Sequence, residues 1–105
     1  MTEAKIQQNI VKWFRKNFYQ KGIIFSVPIE RSGYTQIASL LMTGLLPGTS
    51  DLIVVLKNKI LFVEVKTKTG VQSIKQKKFE KNIESLSHAY YLVRSLDDFK
   101  NLPFK

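Results

Sequence analysis

Cysteine is absent from all 105 residues, which excludes disulfides, thiolate metal sites and a cysteine nucleophile. The single histidine, His88, leaves too few imidazoles for a multi-histidine zinc site. Any bound metal must then take oxygen ligands, which points to Mg²⁺ or Mn²⁺. No apolar run is long enough to cross a bilayer, and the opening MTEAKIQQ has no apolar signal region. These absences lead us to expect an intracellular, cytoplasmic protein with no membrane partner. Internal repeats and low-complexity linkers are missing too. Negative charge is scarce: eight Asp and Glu stand against 17 Lys and Arg, a formal net charge of +9. That surplus fits a polyanionic partner, with nucleic acid the first candidate and an anionic membrane surface the second. A basic protein without such a partner is the plainer alternative.

What is present can build a core. At 44% hydrophobic residues the chain is no disordered tail, and its length fits one domain over residues 1–105. Ile6, Ile10, Trp13, Phe14 and Phe18 recur at helical spacing, so residues 3–20 read as an amphipathic helix with Gly22 as its stop. IIFSVPI, 23–29, reads as a short strand that Pro28 confines to an edge or ends. YTQIASLLMTG suggests a helix stopping at Gly44, followed by the turn cluster LLPGTS. Strands Leu52–Leu56 and Ile60–Lys66 follow, joined near Lys57-Asn58. Both are apolar at consecutive positions, as strands covered on two faces are. A helix from Ser73 to Leu86, with Phe79, Ile83 and Leu86 on one side, precedes a strand at 89–95. A short helix capped by Ser95 closes the chain. The order is α-β-α-β-β-α-β-α, an α/β sandwich with a central mixed sheet flanked by helices.

Three charges interrupt the apolar hairpin: Asp51, Glu64 and Lys66. Glu64 and Lys66 are two apart and share a face. A two-residue turn at Lys57-Asn58 sets Asp51 opposite Glu64. A turn at Asn58-Lys59 sets Asp51 opposite Lys66. Either brings all three together at the end away from the turn. A three-residue turn would set Asp51 opposite Val65 and split the set. Two-residue turns are the commonest, which favours convergence. Paired carboxylates repel unless a cation lies between them, and an adjacent lysine can hold a phosphate or a water. In the plain structural alternative, Glu64 and Lys66 are an exposed strand pair and Asp51 caps a turn.

GLLPGTSDLIVVLKNKILFVEVKTKTGVQSIKQKKFEKNIESLSHAYYLVRSLDD, residues 44–98, resembles the VRR-NUC family of the PD-(D/E)XK nuclease superfamily. Gly48-Thr49-Ser50-Asp51, Glu64-Val65-Lys66 and Gln76 carry the resemblance. It implies a restriction-endonuclease-like fold and a Mg²⁺- or Mn²⁺-dependent deoxyribonuclease. Asp51, Glu64 and the Val65 carbonyl would bind metal, and Glu3 would help hold it or its waters. Lys66 would activate the attacking water, with Gln76 beside it. One departure is Ser50, where the family commonly has proline. Minimal members resemble standalone phage and bacterial enzymes, homodimers acting on branched DNA such as four-way (Holliday) junctions.

Other residues have competing readings. Ser73 and Gln76 also form a capping-box pattern, which would occupy the Gln76 amide. Lys75, Lys77, Lys78 and Lys81 crowd one helix. They are either a solvated face or, with Lys68, a set of phosphate contacts. Arg31 and Tyr34 are candidates for a DNA-touching loop. His88 has no assigned role. Two alternatives to the junction nuclease stand: a non-catalytic DNA-binding module of the same fold, and a flap or restriction-like nuclease.

Overall fold

The computed structural model describes residues 1–27 and 34–105, and side chains other than those of 28–37. Pro28, Ile29, Arg31 and the Tyr34 side chain therefore lie outside the described residues. The elements run α1 (Glu3–Asn17), β1 (Gly22–Ser26), α2 (Tyr34–Met42), β2 (Leu52–Leu56), β3 (Lys59–Val65), α3 (Ile74–Ser85), β4 (Ala89–Val93) and α4 (Leu96–Lys100). This is the order expected from the sequence.

Helix α1 starts where the Thr2 hydroxyl accepts the Lys5 amide at 3.1 Å. It ends earlier than its periodicity suggests: Phe18 is the C-cap, and Gln20 turns the chain at φ 61°. Gly22 is thus the first residue of β1 and not a helix stop. A Cβ there would lie 2.8 Å from the Phe14 ring and 3.0 Å from Leu56, so glycine lets α1 close onto the strand.

The sheet order is β1-β2-β3-β4. The first three strands are antiparallel, and β4 runs parallel to β3 after a crossover through α3. Alternation along the strands divides the residues between two faces. Ile24, Leu52, Val54, Leu56, Leu61, Val63, Val65 and Val93 point to one side. There they meet Ile6, Ile10 and Phe14 of α1 and Phe99 of α4. Trp13, Phe18 and Phe104 extend this core as an aromatic cluster; Phe14 and Phe18 stack at 4.7 Å. The other face carries Phe62, Glu64 and Tyr90, covered by Phe79 of α3 at 5.8 Å from Phe62 and 6.1 Å from Tyr90. Cover is incomplete: Ile23, Phe25 and Ile60 stay exposed. Leu86, expected beside Phe79, is instead the exposed C-cap of α3, because the helix ends one residue before it.

Phe14 is fully buried where α1, α4 and β1 meet. Phe14→Ala is expected to lower unfolding free energy by about 3–5 kcal/mol, measured by urea denaturation; a loss below about 1 kcal/mol would contradict this packing.

Candidate active site

The hairpin resolves the open question of register. Lys57 and Asn58 form a two-residue turn, with Asn58 in the left-handed region at φ 70°. Leu56 pairs with Lys59 and Leu52 with Val63, so one further step places Asp51 opposite Glu64. The two residues then tie each other down. The Asp51 amide donates to Glu64 Oε1 at 3.2 Å, and the Val65 amide donates to Asp51 Oδ2 at 2.8 Å. Each carboxylate has one oxygen held by a backbone N–H. Among the described residues, the buried second oxygen of Glu64, Oε2, has no hydrogen-bond partner.

Glu64 is fully buried and Lys66 is 8% exposed. The Lys66 ammonium stands 3.8 Å from Glu64 Oε2, near enough for attraction but too far for a hydrogen bond. The Glu64 carboxyl is pushed up from 4.5 to about 8, with burial the largest cause. Asp51 contributes to the rise, as a side-chain hydrogen-bond partner and as a like charge, while Lys66 and the Asp51 amide oppose it. An unpaired acceptor in a dry site is costly. Its presence here is what a cation site predicts. The carboxyl groups of Asp51 and Glu64 supply oxygens of the kind Mg²⁺ or Mn²⁺ takes, Glu64 on giving up its proton. The N–H and C=O of one strand residue leave on the same side, so the Val65 carbonyl emerges beside Asp51. These three groups fit a hard divalent ion.

Glu3 lies in the exposed first turn of α1. The start of that helix borders the loop after Lys66, since Met1, Ile6 and Asn9 share a groove with Thr67 and Lys68. Among the described residues no three Asp, Glu or His side chains gather into a metal-holding group, so Glu3 is not drawn in with Asp51 and Glu64. Gln76 is engaged in the capping box: its Oε1 accepts the Ser73 amide at 2.8 Å, and its own amide donates to Ser73 Oγ at 3.1 Å. Lys68, Lys75 and Lys77 are exposed.

Two supporting residues, Arg94 and Gln72, escaped sequence reasoning, and a third, Gly48, was quoted there without this contact. Arg94 Nη1 donates to the carbonyls of Thr67 and Gly70, both at 2.7 Å, and to Lys68 at 3.3 Å. It thereby fastens the loop that follows the lysine; a Cβ on Gly70 would lie 3.5 Å from Lys66 Cδ. Gln72 donates to Glu80 at 3.0 Å and to the Tyr90 hydroxyl at 3.1 Å. Gly48, at φ 89°, is pressed so closely on the first turn of α3 that a Cβ would run into the Lys75 carbonyl. That contact joins the turn leading to Asp51 with the helix carrying Gln76. Arg94 and Gln72 left no local signal, whereas Gly48 stood in the PGT turn of the quoted signature.

No family model and no curated protein matches the chain. A solved structure described as a VRR_NUC domain protein superimposes with a TM-score of 0.76 at 16% identity, covering 94% of this chain and 82% of that one. The chain therefore has the fold of that domain, a restriction-endonuclease-like α/β sandwich.

The sign of the Glu64 shift sets a pH dependence. Its folded value lies above the unfolded one, so the native state holds a proton that the unfolded state releases between pH 4.5 and about 8. With chelator present, stability is expected to fall across that window at up to about 1.4 kcal/mol per pH unit. Glu64→Gln should flatten the slope, as followed by denaturant midpoints; an equal slope in that variant would remove Glu64 as its source.

Proposed function

We propose that the protein is a Mg²⁺- or Mn²⁺-dependent endonuclease that hydrolyses DNA phosphodiesters, acting on branched DNA such as four-way junctions. The observation that carries this reading is the pair of facing carboxylates, each with one oxygen held by an amide, with the buried Glu64 Oε2 left without a hydrogen-bond partner. Support comes from the VRR_NUC name of the structural neighbour and from the net charge of +9. Asp51, Glu64 and the Val65 carbonyl would hold the ion, with Glu3 reaching it through water. The metal would supply Lewis-acid stabilisation of the scissile phosphate and a more acidic water. Lys66, its stem packed and its ammonium beside Glu64, would orient that water and steady the phosphate. Lys68, Lys75, Lys77 and Arg31 would contact the DNA backbone. A two-fold homodimer would present two sites to a symmetric junction, and the uncovered face with Ile23, Phe25 and Ile60 offers apolar area for it.

Asp51→Asn, Glu64→Gln and Lys66→Ala are each expected to lower cleavage of a labelled junction by about 10³-fold or more, while DNA binding persists. Added Mg²⁺ or Mn²⁺ should raise the melting temperature of the unsubstituted protein and not of the Asp51 or Glu64 variants. A protein that shifts junctions, flaps and linear duplexes with metal present but cuts none of them is the non-catalytic binding module.

Gln76→Ala separates cap from site. Loss of the box is expected to cost about 1 kcal/mol of stability and to leave turnover per folded molecule within about twofold. A fall in turnover of tenfold or more at unchanged stability would place Gln76 in the chemistry.

A further inference from the structure

Val71 and Ile74 are 79% and 86% exposed, among the most exposed large apolar side chains described. They do not hang on a loose loop. Arg94 holds Gly70 and Gln72 is fixed to Glu80 and Tyr90. Ser73 and Gln76 lock the helix start. The backbone between Thr67 and Gln76 is thus fastened on both sides of each aliphatic tip. The loop is also close to the candidate site, because Gly70 lies against the stem of Lys66.

The surroundings are strongly basic. Residues 68–81 hold five lysines and one acid, Glu80, which is engaged with Gln72. On α3, Lys77, Lys78 and Lys81 fall three, four and seven residues after Ile74, on the same exposed stripe, while Phe79 points inward. An apolar tip at the site therefore leads into a line of cations running away from it. Charge of that sign and layout complements a nucleic-acid backbone. Aliphatic side chains beside such cations are suited to lie against bases that have lost a stacking neighbour.

We infer that the rigid 67–76 loop is a branch-sensing wedge: Val71 and Ile74 pack on exposed bases at a discontinuity in DNA, while Lys77, Lys78 and Lys81 follow the phosphates of the adjoining duplex. This rests on the nucleic-acid reading of the same site and names its substrate feature. A continuous duplex keeps its bases stacked and offers the tip no apolar partner, so the wedge discriminates by DNA shape.

The test is binding in chelator, independent of cleavage. Affinities of the whole chain and of Val71→Ser/Ile74→Ser are compared on a four-way junction and on a linear duplex of the same sequence. The junction carries 2-aminopurine at the branch. The double substitution is expected to weaken junction binding about tenfold, leave duplex binding within about twofold, and abolish the fluorescence rise on binding. Both positions are exposed, so an unchanged melting temperature is expected; the single Val71→Thr and Ile74→Thr variants repeat the test if it falls. Lys77→Gln/Lys78→Gln should weaken both DNAs alike and reduce the salt dependence. Equal losses on both DNAs, no loss on either, or no DNA binding at all would overturn the wedge. So would loss of binding only to anionic vesicles, which would assign the tip to a membrane surface. Selective junction binding without cleavage in Mg²⁺ or Mn²⁺ would sink the nuclease reading and leave the wedge standing. Cleavage without selectivity would do the reverse.

Discussion

The pairing of Asp51 with Glu64 across the hairpin is the constraint on which the site depends. Two amides, those of Asp51 and Val65, each hold one oxygen of the opposite partner's carboxylate. Backbone and side chain are thereby fixed together: neither carboxylate can turn away without leaving an N–H unpaired. The geometry is set before any ligand arrives. Its cost is concentrated at Glu64, whose second oxygen is buried without a partner and whose proton is retained to about pH 8. The arrangement is held by the fold and opposed by electrostatics. Replacing Glu64 by an apolar residue of similar size would pack better and remove the only reason for the arrangement.

Topology explains why the polar groups collect at one edge. β3 and β4 are parallel, so their C-terminal ends lie side by side, and the antiparallel β2 begins there. Asp51 enters that edge, while Glu64, Lys66 and Arg94 leave it. The crossover returns α3 from the same edge, bringing Gln76 and the lysine-rich first turns. The opposite end carries the Lys57-Asn58 turn and His88 and gathers no comparable set. Ligand sites at the carboxyl ends of parallel strands follow from this rule of connection.

Much of this was legible because strand periodicity is strict. Asp51, Glu64 and Lys66 stood out as charges inside apolar runs, and a two-residue turn was enough to bring the carboxylates together. The capping box at Ser73 was equally visible, since its partners are three residues apart. Contacts across long sequence distance were not. Arg94 is 24 residues from Gly70, and nothing near it announces that its guanidinium will collect three carbonyls of another loop. The end of α1 was misplaced for a related reason: Gly22 read as a helix stop, whereas its role is to admit the Phe14 ring from a neighbouring element.

Arg94 also shows how the lysine is kept in place without direct contact. A single strand position cannot fix a long flexible side chain, because each rotatable bond left free has entropy to regain. The loop after Lys66 folds back so that Gly70 lies on the aliphatic stem, and Arg94 pins that loop by its carbonyls. The Arg94 amide is in turn held by Asp98 at 2.9 Å, and the Ser95 hydroxyl accepts the Asp98 amide at 3.0 Å. A chain of local hydrogen bonds from α4 therefore reaches the lysine through a loop and not through the core. Rigidity at the charged edge is built from backbone carbonyls, and among the described residues the lysine ammonium is paired only with Glu64, at 3.8 Å.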